Sequence, residues 1–303
     1  MTKYLVLLML FCAGCFSPSP EPVPQPDPKP TPTAPTPTTT VSPLPPTKGQ
    51  VYGFTVDAVD NVSGIVDRIK AMPVRPWVRI VFDYPQTAAS YKSAVAAISQ
   101  VAEVVGQPSD STYSGKMSVD QFRTRFQSYV TTLPQINVWE ICNECNGDWA
   151  GANTAAQTDA AYDVVKASGK KALFVPYWNT PDCADKHGDY IAWTQKNISQ
   201  KVKVGSDYVA VSIYGEDCSG PEPTYADLDS MMSTFAAMFP NASVGVGEYG
   251  SAKAQNKDRV LRYYLQYRNS NPRYFFFGGY WYGLQDFVPK SNSLWTTFSS
   301  AMK

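Results

Sequence analysis

The chain has 303 residues, and its 26 Lys and Arg residues balance its 26 Asp and Glu residues, so the formal net charge is zero. No Lys- or Arg-rich run occurs, which excludes the basic surface typical of nucleic-acid binders; a polymer partner should be uncharged or weakly charged. The single histidine, His187, lies in a polar stretch, which argues against a Ser-His-Asp or Cys-His catalytic machinery.

The N-terminus has the pattern of an export signal. An apolar run over residues 4–13, too short to cross a bilayer, is followed by polar and Pro-rich sequence. The segment Cys12-Ala13-Gly14-Cys15 resembles a bacterial lipobox, whose last cysteine is lipidated and becomes the mature N-terminus, although Cys12 stands where leucine is usual. We therefore expect a signal peptide over residues 1–14, lipidation at Cys15, and anchoring at the bacterial cell surface or outer membrane. Ordinary secretion is the alternative.

Residues 15–49 differ in composition from the rest of the chain. From Ser17 to Thr47 almost every second or third residue is proline, interleaved with threonine, serine and a few charges. Such a segment cannot bury apolar surface and is expected to form an extended spacer of about 3.1 Å per residue. The folded domain is therefore predicted over residues 50–303, a length that suits one (β/α)₈ barrel.

Beyond Gly49, short apolar or β-branched runs alternate with helical patterns. From the third run onward the runs begin roughly 30 to 36 residues apart, the length of one strand and helix, which favours parallel pairing. Eight such units predict an α/β fold, a closed (β/α)₈ (TIM) barrel. The alternative, an open doubly wound sheet, lacks its Gly-rich phosphate loop after the first strand. The predicted strands are Val51–Val56, Trp77–Phe82, Val101–Val105, Ile136–Ile141, Ala172–Tyr177, Tyr208–Tyr214, Ser243–Glu248 and Tyr274–Trp281.

The segments between these runs carry helix signals. Ser118 with Gln121, and Thr154 with Gln157, have the spacing of capping boxes and predict helix starts, and Gly169 marks the expected end of the fourth helix. Apolar residues at three- and four-residue steps predict helices buried on one face. These are Val119, Phe122, Phe126 and Tyr129; Leu228, Met231, Phe235 and Phe239; and Leu294, Trp295 and Phe298 in the last helix.

Four cysteines remain once the two N-terminal ones are assigned to the signal and the anchor, namely Cys142, Cys145, Cys183 and Cys218. Export exposes them to an oxidising compartment, and three pairings are possible. A zinc site is disfavoured because no second cysteine pair has zinc-like spacing. Cys183 and Cys218 follow the neighbouring strands five and six and are predicted to form a disulfide. Cys142, expected to face inward, is then predicted to be a buried thiol.

Two of the predicted strands lead into glutamate. The fourth run continues into Asn143 and Glu144, and the seventh ends at Glu248. In (β/α)₈ barrels the reactive side chains project from the C-terminal ends of the strands. Strands four and seven lie on opposite sides of such a barrel, so the two carboxylates are expected to face each other across its mouth. One such glutamate is more often a salt-bridge partner, but two at these positions indicate catalysis.

The region from about residue 51 onward resembles clan A of the glycoside hydrolases, which are (β/α)₈ retaining enzymes with Asn-Glu ending strand four and Glu ending strand seven. The resemblance implies that Glu144 is the acid/base, that Asn143 hydrogen-bonds the sugar's 2-hydroxyl, and that Glu248 is the nucleophile. Many members have proline after the acid/base glutamate, where this chain has Cys145. That departure leaves the family within the clan, and the substrate, open.

Three further positions match the clan's pattern. Arg79 on strand two and Tyr214 at the end of strand six would, by this resemblance, donate to Glu248 and keep it ionised. Trp281 on strand eight would, by the same resemblance, form the floor of the central sugar-binding site. Glu140, one step deeper than Glu144, is expected to be a buried partner of Arg79 or of another polar group in the barrel rather than a catalytic residue.

Other polar and aromatic residues at strand ends are candidates for sugar contacts, with a structural role as the alternative for each. Aromatic residues make up 13% of the chain, and aromatic rings offer flat faces for stacking, although most large rings simply fill cores. The candidates are Asp57, Asp83, Trp149, Tyr177, Trp178 and Asn179.

The sequence therefore predicts an exported, lipid-anchored glycosidase that acts on a poly- or oligosaccharide, is retaining and endo-acting, and is a monomer. No metal and no organic cofactor are implied. Two alternatives stay open at this point. One is a carbohydrate-binding surface lipoprotein without turnover, and the other is a transglycosylase that uses the same residues.

Overall fold

The computed structural model describes residues 50–179, 189–218, 222–275 and 277–302. Eight parallel strands pair in chain order, and β8 closes on β1 to form a barrel, which confirms the predicted (β/α)₈ fold and excludes the open sheet. The strands are β1 (Gly53–Val56), β2 (Trp77–Val81), β3 (Glu103–Gln107), β4 (Val138–Asn143), β5 (Lys171–Val175), β6 (Tyr208–Ile213), β7 (Ser243–Tyr249) and β8 (Gly279–Tyr280).

Helices follow every strand and surround the barrel. They are α1 (Val62–Lys70), α2 (Lys92–Ser99), α3 (Ser111–Ser114), α4 (Val119–Thr132), α5 (Thr154–Ala167), α6 (Tyr190–Asn197), α7 (Gln200–Gly205), α8 (Tyr225–Met238), α9 (Ala254–Gln266), α10 (Gly283–Phe287) and α11 (Ser293–Ser300). In the part of the chain that the structure describes, no helix has the length and apolar character needed to span a bilayer.

The core has two layers because strand side chains alternate between the barrel interior and the helices. The interior layer contains the buried residues Val105, Val138, Leu173, Val175, Ala210, Phe275 and Phe277. The outer layer joins alternate strand residues, such as Val78 and Ile80, to the buried faces of the helices. On α4 that face includes Phe122, Phe126 and Tyr129, as the periodicity predicts. The strand ends at one mouth of this rigid barrel position the polar residues considered next.

The helix boundaries follow local hydrogen bonding, with one correction. Ser118 and Gln121 form the predicted capping box of α4, and Gly169 adopts a positive φ of 67° after α5. The capping box predicted at Thr154 is wrong, because α5 begins at Thr154 itself. Its Gln157 is buried and donates instead to the carbonyl oxygens of residues 114 and 117, at 2.9 and 2.8 Å.

All eight strands differ from their predicted bounds by at least one residue, and two of the differences have a clear local cause. The amide of Val101 donates to the carbonyl of Ile98 at 3.0 Å, so residues predicted to start the third strand instead complete the turn after α2. The predicted eighth run is interrupted by Gly278, whose φ is 52°, and β8 is reduced to two residues. Both differences arise from turns formed by neighbouring backbone groups, which an apolar run does not reveal.

Candidate active site

The carboxyl ends of the strands open into a polar pocket of about 260 Å³. Glu144 directly follows β4 and is partly buried, whereas Glu248, near the end of β7, is only 5% exposed. Both glutamates line the pocket. The other predicted site residues that line it are Asn143, Trp149, Tyr214 and Trp281.

Arg79 lies beneath this pocket and joins the carboxylates of the barrel. Its Nε donates to Thr55 Oγ1 at 3.0 Å, its Nη1 to Glu140 Oε2 at 3.4 Å, and its Nη2 to Glu248 Oε2. Burial disfavours the charged guanidinium, but the charges of Glu248 and Glu140 outweigh burial and raise the pKa of Arg79. Arg79 is therefore a permanent cation under Glu248, and removing one member of such a buried pair typically costs about 3–5 kcal/mol.

Tyr214 follows β6 and provides the second donor to Glu248. Its hydroxyl donates to Glu248 Oε1, while Arg79 donates to Oε2, so each oxygen of this carboxylate accepts a hydrogen bond. Burial, with the charge of Glu248 added, raises the pKa of Tyr214 well above its ordinary value. The hydroxyl consequently stays protonated and can only donate to the carboxylate.

The two glutamates of the pocket differ in what opposes the cost of burial. Burial raises the pKa of Glu248, but the charge of Arg79 and the hydrogen bond from Tyr214 act against that rise. Burial raises the pKa of Glu144 well above its usual range, and the nearby charge of Glu248 raises it further. Glu248 is therefore the group that ionises first, and Glu144 is the group that holds a proton.

Glu140 and Asn143 form a second layer below the pocket. Glu140 is 2% exposed, and burial raises its pKa to about 7 although the charge of Arg79 opposes the rise. Asn143 Nδ2 donates to Glu140 Oε1 at 3.1 Å, and the amide of Ser111 donates to Asn143 Oδ1 at 2.8 Å. These bonds hold the Asn143 amide in one orientation at the pocket wall. Glu140 occupies the position expected of a partner for Arg79.

Both strands that lead to the pocket glutamates are irregular just before them. In β4 the register with β5 shifts between Glu140 and Cys142, so that β4 has one residue more than β5 there. In β7 the residues that pair with Val211 and Ile213 of β6 are Val246 and Tyr249, so that β7 has one residue more than β6. A bulge of this kind re-aims the side chains that follow it and is common beside active sites. Strict inward and outward alternation therefore fails at both ends.

The structure corrects the prediction for Cys142. Its side chain belongs to the outer core layer, because the bulge in β4 interrupts the alternation that would have turned it inward. It is bonded to Cys145 rather than being a free thiol, with a Cα–Cα distance of 5.5 Å. Cys183 lies outside the described residues, as do His187 and Cys15, so the predicted bridge from Cys183 to Cys218 stays a prediction.

Of the predicted sugar contacts, Trp149 lines the pocket with 41% of its surface exposed. The other five candidates do not line the pocket. Asp57 accepts a hydrogen bond from Gln285 at 2.9 Å, and the exposed Asp83 accepts one of 3.5 Å from the Tyr91 hydroxyl. Tyr177 and Asn179 are buried and Trp178 packs against the core, none of them in the pocket lining.

Sequence reasoning missed several residues that line the pocket. The loop after β3 contributes Asp110, Ser111 and Thr112, because β3 ends two residues later than predicted. Their signal was a run of small polar residues, 109–112, shortly after an apolar run. The remaining missed residues are Glu216, Gly250, Ser251, Ala252 and Tyr282.

Within the described ranges, no cluster of three or more His, Cys, Asp or Glu side chains has the arrangement of a metal site. The pocket presents two carboxyl groups in different settings: Glu248 accepts hydrogen bonds from two donors, and the pKa of Glu144 is raised well above its usual range by burial and by the charge of Glu248.

No family model and no curated protein matches the chain. Solved structures do. The catalytic domain of the major endoglucanase from Xanthomonas campestris pv. campestris superposes with a TM-score of 0.52 at 15% identity, covering 84% of this chain and 94% of that one. A β-mannanase from Streptomyces thermolilacinus gives 0.51 at 15% identity, covering 77% and 79%. A structure of ScGas2 gives 0.52 at 13% identity, covering 82% of this chain and 62% of that one. At identities this low, the similarity shows a shared barrel fold.

Proposed function

We propose that the chain is a retaining glycoside hydrolase that cleaves β-glycosidic bonds in a poly- or oligosaccharide. The observation that carries the proposal is the unequal setting of two carboxyl groups in one pocket. Glu248 accepts hydrogen bonds from Arg79 and Tyr214, whereas Glu144 has no cation or tyrosine bonded to it among the described residues. Glycoside hydrolysis requires such a pair, one carboxylate and one carboxylic acid.

In the proposed reaction, Glu248 attacks the anomeric carbon and forms a covalent glycosyl-enzyme. Glu144 first gives its proton to the leaving oxygen, and then accepts a proton from the water that releases the sugar. Arg79 and Tyr214 keep the attacking carboxylate ionised and hold its oxygens in place. A retaining enzyme of this type has its carboxyl groups about 5–5.5 Å apart.

The pocket walls favour a sugar as the ligand. Trp149, Trp281 and Tyr282 present aromatic surface to the pocket, while Asn143 and Asp110 add polar groups that can pair with hydroxyls. Among the structures with the same fold are an endoglucanase and a β-mannanase. We therefore propose β-glucans and β-mannans as the first substrates to test, with cleavage inside the polymer.

We also propose that the enzyme works outside the cytoplasm, held by a lipid at Cys15. The N-terminal residues lie outside the described part of the chain, so this proposal rests on the apolar run, the Cys12 to Cys15 segment and the Pro-rich spacer. A tether of this kind would let a membrane-bound enzyme reach a bulky glycan.

The test is incubation of the wild-type protein with β-glucans, mannans, xylans and bacterial exopolysaccharides, with products read by mass. We expect shorter saccharides from at least one polymer and none from Glu248→Gln, while Glu103→Gln, at the opposite end of the barrel, keeps wild-type rates. Products longer than the substrate would show a transglycosylase instead of a hydrolase. Binding without any turnover across the panel would overturn the proposal.

The role of Glu144 has its own test. The Glu144→Ala protein should still react with 2,4-dinitrophenyl glycosides, whose leaving group needs no proton, and azide should accelerate it by replacing the activated water. Equal losses on activated and unactivated substrates, with no effect of azide, would remove Glu144 from this role.

A further inference from the structure

Glu144 has an unusual backbone conformation. Its φ is 49°, and it is the one residue other than glycine with a positive φ in the ranges that the structure describes. L-residues avoid this left-handed region because Cβ approaches the carbonyl oxygen, and residues held there cluster at functional sites. Something in the surrounding chain must therefore hold Glu144 in place.

The disulfide between Cys142 and Cys145 spans this residue. The two Cα atoms are 5.5 Å apart, whereas three extended steps of chain would separate them by about 10 Å. The bridge can close only if the chain turns back within it, and the turn falls at Glu144. Both cysteines are buried, with 3% and 4% of their surface exposed, so the ring is packed into the protein.

The loop beyond the bridge is tied to β5. The amide of Glu144 donates to the carbonyl of Val175 at 2.8 Å, and the Asn146 side chain exchanges two hydrogen bonds with the backbone of Tyr177, at 2.7 and 2.8 Å. These bonds hold one side of the turn to the end of β5 and the other side to Tyr177, two residues beyond that strand, and the disulfide closes the turn itself.

The carboxyl group of Glu144, by contrast, has little to hold it. Its Oε2 lies 3.5 Å from Ser111 Oγ, the outer limit of a hydrogen bond, and its buried Oε1 has no hydrogen bond of normal geometry to a described residue; a weak interaction with the Ser212 side chain acts to lower its pKa. Its position is consequently set by the backbone from which it projects. A short loop of this kind also constrains the unfolded chain only weakly, so the bridge adds less to global stability than one closing a long loop.

We propose that the Cys142–Cys145 disulfide is a positioning element for the acid/base, holding Glu144 in the left-handed conformation that aims its carboxyl at the glycosidic oxygen. This inference rests on the proposed function. It predicts that losing the bridge impairs the proton transfer made by Glu144 more than the attack made by Glu248, which is held separately by Arg79 and Tyr214.

The test compares the Cys142→Ser/Cys145→Ser protein with the wild type on phenyl and 2,4-dinitrophenyl β-cellobioside, or on the same pair built on mannobiose if the wild type prefers it. The value of kcat/KM for the phenyl glycoside should fall by about tenfold or more, since general acid catalysis contributes about 10²–10⁴-fold. The value for the dinitrophenyl glycoside should change by less than about twofold, because that leaving group needs no proton. Azide should raise kcat for the dinitrophenyl glycoside.

A matched control is Val95→Ala, which removes buried packing on α2, outside the barrel. It should leave the ratio of the two kcat/KM values at the wild-type level. If the double variant does not fold, wild-type protein treated with tris(2-carboxyethyl)phosphine gives the comparison, provided that peptide mapping shows the Cys142–Cys145 bridge reduced and circular dichroism shows the fold retained, with the Cys183→Ser/Cys218→Ser protein as the control for any second bridge. An unchanged ratio after loss of the bridge, in an active protein, would overturn the inference alone. Inactivity of the wild type on both pairs would remove the proposed function and this inference with it.

Discussion

Replacing Glu140 with glutamine tests the electrostatics of the barrel interior through stability rather than activity. Glu140 is 2% exposed and lies 3.4 Å from Arg79 Nη1, and burial raises its pKa from 4.5 to about 7. Because the folded-state pKa is above the unfolded one, the folded protein binds this proton more tightly. The stability that protonation of Glu140 contributes to the folded protein is fully present below pH 4.5 and is lost as the pH rises through 7.

The size of the effect follows from the shift. A pKa raised by about 2.5 corresponds to about 3.4 kcal/mol, and about 2.5 kcal/mol of this is lost between about pH 5 and pH 8. Glu140→Gln has no proton to release and should lack this loss. The glutamine gives up an acceptor contact with Arg79 or Asn143, at a cost of about 1–3 kcal/mol. The glutamine, Arg79 and Asn143 do not change protonation between pH 5 and 8. The cost of the lost contact is therefore the same at every pH, and it cancels when the stability of Glu140→Gln at one pH is compared with its stability at another.

Urea unfolding of both proteins at several pH values between about 5 and 8 provides the measurement. We expect the free energy of unfolding of the wild type to fall by about 2.5 kcal/mol more than that of Glu140→Gln over this range. Two curves that run parallel across the whole range would refute the account of a buried carboxyl that is neutral at low pH and charged at high pH.

Three further predictions concern the pocket, the proposed lipid anchor and the cysteines. Tyr214→Phe removes a hydrogen bond to the charged Glu248, worth about 1.5–3 kcal/mol, so kcat/KM should fall by about 10- to 150-fold; a value within twofold of the wild type would contradict this role. Cys15→Ala should release the protein from the membrane fraction of a bacterial host, and an unchanged distribution would count against the anchor. Peptide mapping without reduction should find Cys183 joined to Cys218, and free thiols at both would show this pairing to be wrong.

The barrel could be predicted from the sequence because its signal is repeated. Each strand lies in a short apolar run, the longer helices have one apolar face, and the spacing between runs permits few other topologies. The strand bounds could not be predicted as well. The residues around Val101 turn back to Ile98, and Gly278 breaks the last run, because local backbone hydrogen bonds and a positive φ outweigh apolar character there.

The two pocket glutamates could be placed at the strand ends for the same reason. The orientation of the residues around them could not be predicted from the alternation of inward and outward side chains along a strand. The alternation rule turned Cys142 inward, whereas the bulge in β4 moves it to the outer layer and into a bridge with Cys145. A bulge depends on pairing between two strands, which a single run of residues does not encode. Asp110 and Ser111 were likewise not predicted as site residues, because β3 ends later than its apolar run indicates.

The central claim, double displacement through Glu248, is tested most directly by the stereochemistry of the first product. Proton NMR of the wild-type protein acting on a β-linked oligosaccharide, begun before mutarotation proceeds, distinguishes the two anomers. The account predicts that the β-anomer forms first, because two inversions at the anomeric carbon restore the starting configuration. The α-anomer as the first-formed product would contradict it.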